Sequence, residues 1–221
     1  MKNQTTQPTT ITKRPKKKKV NPNTRKIENY TIQIELNPYD YQAYFDRAQA
    51  KKNKGNYKGA LADYDKCLEM KPEDEYALTN RGRIKSKIRD YRGAIEDYTL
   101  ALSFYPNHDG TWYNRGLVKI KSEDYRGAIA DNLKAIEIDP GYVEAYHNIG
   151  VCVYQMGDRP GALTAFTRAI EVNAKYARAF FCRGYVRLQL GDRYSGCLDL
   201  HRAGEMGMKD AYEILREVEE E

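Results

Sequence analysis

The chain has 221 residues, of which 41% are apolar, 31% are charged and four are cysteine, with a formal net charge of +6. No segment approaches the roughly 20 uncharged apolar residues that a membrane-spanning helix needs, and the first residues carry charge without the apolar run of a secretory signal. The expectation is a cytoplasmic protein with no transmembrane segment, in which the widely spaced Cys67, Cys152, Cys182 and Cys197 are reduced, buried thiols.

Residues 1–25 form the first segment. Residues 1–26 contain nine Lys and Arg and no acid, which leaves −3 for residues 27–221, so the basic balance belongs to this end alone. Thr, Asn, Gln and Pro dominate it, and Ile11 and Val20 are its only large aliphatic residues. Such a composition buries too little apolar area to offset its ordering entropy, which predicts a disordered basic tail. Lys13, Arg14, Lys16, Lys17, Lys18 and Lys19 are a candidate anion-binding run. Phosphate contacts with nucleic acid or an anionic membrane surface suit it, as does nuclear import in a eukaryote, or plain solvation. It lacks interleaved aromatics, so base stacking is not indicated.

Residues 26–40 follow and, with Tyr30, Ile34 and Leu36, resemble a lone second helix of the units that come after them, an N-terminal half-repeat. From residue 41 a strict 34-residue period takes over. Pro38, Pro72, Pro106 and Pro140 keep it, as do Gly82, Gly116, Gly150 and Gly184, and Ala60, Ala94, Ala128 and Ala162. The units are residues 41–74, 75–108, 109–142, 143–176 and 177–210, and each reads as two helices. The first runs from about the Ala43 column to the Lys54 column. A turn with Asn56, Asp90, Asp124, Asp158 or Asp192 supplies the cap of the second, which runs from the Ala60 column and stops ahead of the proline. Residues 211–221 read as a polar capping helix, with Glu217, Glu219, Glu220 and Glu221 making an acidic end.

The pattern Trp112-x-x-Arg115-Gly116, then Tyr125-x-x-Ala128, Ala135 and Pro140, resembles a tetratricopeptide repeat, and the match covers residues 41–210. The resemblance implies an all-α solenoid of antiparallel helix pairs, wound into a right-handed superhelix with a concave groove. It also implies a non-catalytic scaffold that binds a protein or peptide partner in that groove.

The five units can be read against one another. Arg47, Arg81, Arg115 and Arg183 share a column. Sixteen residues later stand Asp63, Asp97, Asp131 and Asp199, and four residues after each Arg stands Lys51, Lys85, Lys119 or Arg187. Unit four replaces all three with Ile149, Ala165 and Val153. Charges that vanish together imply contact: an ion pair between the helices of each unit, exchanged in unit four for apolar packing.

By the resemblance the first helices line the groove. Helical spacing from the Gly column gives a stripe of Phe45, Gln49 and Lys52, then Thr79, Arg83 and Ser86, with Lys87 beside it. It continues through Tyr113, Leu117 and Ile120, then His147, Val151 and Tyr154, and ends with Phe181, Tyr185 and Leu188. Units one and two therefore offer a polar, basic wall and units three to five an aromatic one, which fits a peptide with acidic groups at one end and apolar anchors at the other. Asn80, Asn114 and Asn148 run alongside, and the resemblance gives them the task of holding a peptide backbone. Two alternatives stay open: that the face packs partly against itself, or that it is buried in a homodimer. The family's carboxylate-gripping mode is not expected. Phe45, Thr79, Tyr113 and His147 occupy a slot that it fills with Lys, and Gly110 and Asn114 fill two further basic slots, although Asn80 survives from that pattern.

Nothing in the sequence predicts catalysis, a metal site or a cofactor. His108, His147 and His201 lie in three different units without the i, i+4 partner of a helical metal site. The glycines follow the period rather than forming a phosphate loop, and Cys182, Cys197 and His201 lack a third, orienting group.

Overall fold

The computed structural model describes residues 21–220. The basic run Lys13 to Lys19 lies outside them, with the expectations attached to it. The described residues form twelve helices and no strand. A lone helix α1 (Pro22–Leu36) leads into five pairs: α2 (Tyr41–Asn53) with α3 (Tyr57–Met70), α4 (Glu75–Lys87) with α5 (Tyr91–Phe104), α6 (Asp109–Lys121) with α7 (Tyr125–Ile138), α8 (Val143–Gln155) with α9 (Arg159–Val172), and α10 (Ala177–Gln189) with α11 (Arg193–Glu205). A last helix, α12 (Asp210–Glu220), closes the array by burying Ala211 and Leu215. Each helix packs on the next, so the fold is an all-α repeat solenoid.

Local chemistry sets the boundaries. The second helices start after Asn56, Asp90, Asp124, Asp158 and Asp192, whose side-chain oxygens accept from the backbone N–H three residues on. That residue is Gly in four units and Ser195 in the fifth. A Cβ on Gly127 would collide with the capping Asp124 carboxylate. These caps start the second helices three residues before the expected Ala column. The turn between paired helices needs one residue at positive φ. Gly55, Gly157 and Gly191 supply it in three units, while Arg89 (φ 67°) and Glu123 (φ 64°) adopt it in units two and three. The lone helix also begins earlier than the basic composition implied. Residues 22–25, expected in the tail, are its first turn, because Asn21 caps it and Pro22 fits the first helical position without a lost hydrogen bond.

Within each unit a small residue on the first helix receives a large one from the second. Gly82 faces Tyr98, Gly150 faces Phe166 and Gly184 faces Leu200. A Cβ on Gly150 would come within 2.6 Å of the Phe166 ring, so helices approach this closely only because the column is glycine. In unit three Asn132 takes the large position, fully buried, and donates to the Ala128 carbonyl.

The columnar charges meet as the sequence implied. Arg47 donates to both oxygens of Asp63, Arg81 to Asp97, Arg115 to Asp131 and Arg183 to Asp199. A second cation completes each set at 2.7 to 3.0 Å: Lys51, Lys85, Lys119 and Arg187. The carboxylates are buried, so each needs this full set of partners. The same Arg also reaches the preceding unit, donating to Thr31, Asp65, Thr99 and Thr167 in turn. At the fourth junction Leu133 replaces the Thr, Ile149 the Arg, Ala165 the Asp and Val153 the Lys. The entire polar relay there is apolar.

Candidate functional site

Beyond consecutive helices, α4 also meets α6 and α6 meets α8. The first helices of successive units are thus drawn together, and they line the inside of the curve. The groove that results has two unlike halves.

In its first half a cavity of about 820 Å³ opens between α2, α4 and α6. Lys52, Lys54, Arg83, Lys87 and Lys121 line it over a floor containing Ile84, Leu117 and Val118, and no carboxylate is in the lining. The Lys52 ammonium donates to the Asn80 amide oxygen at 3.0 Å. Burial, and then the neighbouring Arg83 charge, lower its pKa. The Lys87 ammonium sits 5.3 Å above the Tyr57 ring, and Lys121 reaches the Ser86 hydroxyl at 3.4 Å. Asn114 lines the same cavity, half-buried. A shallower hollow beside it is lined by Phe45, Gln49 and Asn80.

In the second half the lining is aromatic. Tyr113 packs against Tyr142 with centroids 4.9 Å apart, His147 lies between Phe166 and Tyr176, and Tyr154 meets Tyr185 edge-on at 6.4 Å. The Tyr154 hydroxyl donates to Gln189, which also accepts from Arg159, so units four and five are tied across the groove. Tyr185 is 40% exposed, the most open ring of the set.

Several side chains expected to be open to a partner are committed to the protein itself. Phe45 stacks on Tyr41 and meets Tyr64 edge-on, Phe181 and Leu188 pack on the core around Leu200, and Val151 packs beside Phe166. Asn148 is buried and donates to the Asn132 amide oxygen, so it does not stand beside the groove as a backbone clamp; the polar Asn132 in a column otherwise apolar or aromatic draws it inward. The Asn80 amide is bonded on both sides, donating to the Tyr76 carbonyl and accepting from Lys52. Asn114 and Tyr185, with the exposed Arg83 and Lys87, are the predicted residues the groove leaves most available.

Tyr142 and Tyr176 belong to this surface although sequence reasoning passed over them. Their column caps the first helices through Asp40, Asp74 and His108 in units one to three. In units four and five the first helices start without a side-chain cap, and the tyrosine rings pack against Tyr113, tilted, and against His147, edge-on. Arg178 stands close enough to lower the pKa of His147, second to burial, which together bring it to about 4. The His147 Nδ1 is buried and has no partner among the described residues.

Three of the four thiols are ill suited to attack. Burial raises Cys182 and Cys152 to about 11 and Cys67 to about 12, which keeps them protonated. Cys182 and Cys197 are half-buried rather than fully enclosed, in columns that are half-buried in most of the other units as well. Among the described residues no group of three His, Cys, Asp or Glu is placed to hold a metal, and no helix is long and apolar enough to cross a membrane.

Tetratricopeptide repeat models match residues 41–74, 76–108 and 110–142, and a second such model matches residues 153–192. No curated protein matches the sequence. The solved structures that share the fold include three that illustrate its range. The structure titled as YrrB, a TPR protein with an unusual peptide-binding site, is 24% identical, with a TM-score of 0.67 over 86% of this chain and 99% of its own. MamA from Desulfovibrio magneticus RS-1, residue 41 to its end, is 18% identical, with a TM-score of 0.69 over 75% of this chain and 94% of its own. The pilF protein of Pseudomonas aeruginosa is 16% identical, with a TM-score of 0.68 over 88% and 97%. With the repeat models covering more than half of the chain, and the helix pairs stacked as the 34-residue period requires, the chain belongs to the tetratricopeptide repeat family.

Proposed function

We propose that this protein is a non-catalytic scaffold that binds an extended segment of a partner protein in the groove lined by α2, α4, α6, α8 and α10. The observation that carries the reading is the division of that groove into an uncompensated cationic half and an aromatic half, on one continuous surface. A peptide with acidic residues toward α2–α6 and apolar side chains toward α8–α10 complements both. Tyr113 and Tyr185 are its anchors, and the Asn114 amide, which can donate and accept at once, meets its backbone. YrrB, with its unusual peptide-binding site, gives the fold a precedent for this use.

Selection of displayed peptides on the full chain tests it. The expected winners pair acidic with apolar or aromatic residues, and lose at least about tenfold in affinity for a Tyr113→Ala, Asn114→Ala, Tyr185→Ala variant of unchanged helicity. Selected peptides that bind this variant as well as the parent would overturn the groove assignment.

A further inference from the structure

The cationic cavity asks for a more specific ligand than an acidic peptide. Elsewhere in units one to three the cation that follows the columnar Arg has its carboxylate: Lys51, Lys85 and Lys119 close on Asp63, Asp97 and Asp131. The five cations of the cavity have no ion-pair partner among the described residues, although they come from three helices and share one space. Holding like charges together around an apolar floor is unfavourable until an anion enters, and it strengthens the attraction for that anion when it does.

We infer that this cavity holds a phosphate monoester carried on a side chain of the bound partner, so that the groove reads a phosphorylated segment. The inference rests on the peptide-groove reading and adds the chemistry of its basic end. A carboxylate offers two oxygens and one charge. A phosphate monoester offers three and close to two, which matches a ring of cations better. Arg83 supplies the planar fork that pairs with two phosphate oxygens, while Lys52, Lys87 and Lys121 act as point charges around it. Lys52 is already positioned by its bond to Asn80, so less of its side-chain freedom remains to be lost. The volume of about 820 Å³ admits the phosphorylated side chain together with its neighbours, and Asn114 stands in the same cavity for the backbone that carries it. A nucleic acid fits less well: Tyr57 is covered by Lys87 and Tyr98 is buried, so no open ring is left there for a base to stack on.

The test uses the full chain and three oriented peptide libraries that differ at one fixed position: phosphoserine, serine or glutamate. The expected result is retention of the phosphoserine library roughly tenfold above the serine library, with glutamate well below phosphoserine. Arg83→Ala with Lys87→Ala, both exposed positions, brings the ratio back toward one. Lys134→Ala with Arg168→Ala removes the same charge from α7 and α9, where both residues are exposed, and leaves the ratio in place. Equal retention of the phosphoserine and serine libraries overturns the inference but spares the groove, provided that the serine library is still bound. Retention of none of the libraries overturns both. A preference that survives Arg83→Ala with Lys87→Ala, or that the Lys134→Ala, Arg168→Ala control also abolishes, assigns it to charge elsewhere and overturns the inference. Inorganic phosphate, and a single-stranded RNA oligonucleotide, are titrated in parallel. If either binds with the same dependence on Arg83 and Lys87 while the peptide libraries show no preference, the site serves a free anion or a nucleic acid, and the inference fails.

Discussion

Units one and two and units four and five have the same backbone plan and opposite side-chain chemistry. In the first pair every helix is capped by a side chain, each buried Asp is held by two cations, and the groove wall is Lys and Arg. In the second pair the cap column of the first helices becomes Tyr142 and Tyr176, the groove wall becomes Tyr154 and Tyr185, and unit four discards its ion set altogether. The scaffold therefore tolerates two ways of joining its helices, and the column that ends up in the groove is free to vary without loss of the fold. A stacked array is stabilised by neighbour contacts, so one junction can change chemistry while the others stay fixed.

The largest effect expected from exchanging the two chemistries lies in the ion sets. Asp97→Ala leaves Arg81 and Lys85 without their buried carboxylate and should cost about 3 kcal/mol, the low end for breaking such a set, because Arg81 keeps Asp65. Ala165→Asp should cost a similar amount by burying a carboxylate among apolar neighbours. Adding Ile149→Arg and Val153→Lys should restore most of it but not all, since Leu133 offers no acceptor where Thr99 does. Chemical denaturation reads all three, and a harmless Ala165→Asp would contradict an apolar cluster of Leu133, Ile149, Val153 and Ala165 at the fourth junction.

A smaller, pH-dependent effect separates the halves through His147. Its folded pKa of about 4 lies below the ordinary value of 6.5, so the unfolded chain takes up a proton first as pH falls. The neutral imidazole's contribution is fully present above pH 6.5 and is lost progressively between about pH 6.5 and 4, with a slope of at most about 1.4 kcal/mol per pH unit. His147→Phe, which copies the residue that Phe45 and Phe181 place in this column, should flatten that part of the stability profile relative to the parent. Identical slopes in the two proteins would contradict the burial of a neutral ring.

Least in stability, and most informative about the groove, is Tyr142→Asn. The change should give α8 the side-chain cap it lacks, worth about 1 kcal/mol, and remove the ring that covers Tyr113. The two terms nearly cancel, so thermal unfolding should shift little while binding of a selected peptide weakens. A large loss of stability would mean that the tyrosine is structural first.

The period makes the helix pairs legible from Pro38 to Pro140, and the joint disappearance of Arg, Asp and Lys in unit four discloses the ion sets in the sequence alone. Within the groove, legibility fell away wherever a position depends on the neighbouring unit. Asn148 reads as a groove amide from helical spacing, but Asn132 on the previous unit draws it inward. Tyr142 and Tyr176 occupy a cap column, so spacing within one helix gives no reason to place them over Tyr113 and His147. Lys54 and Lys121 join the cavity only because α2, α4 and α6 converge. The start of α1 carried a usable signal in Asn21-Pro22, which the surrounding basic run obscured.

We propose that the concave surface of the first helices is the binding site. Amide hydrogen exchange of the full chain, with and without a selected peptide, tests it most directly. Protection is expected on α4, α6, α8 and α10, strongest around Arg83, Asn114 and Tyr185, with α5, α7 and α9 little changed. Protection that falls mainly on α5, α7 and α9 would contradict it and place the partner on the outer face of the array.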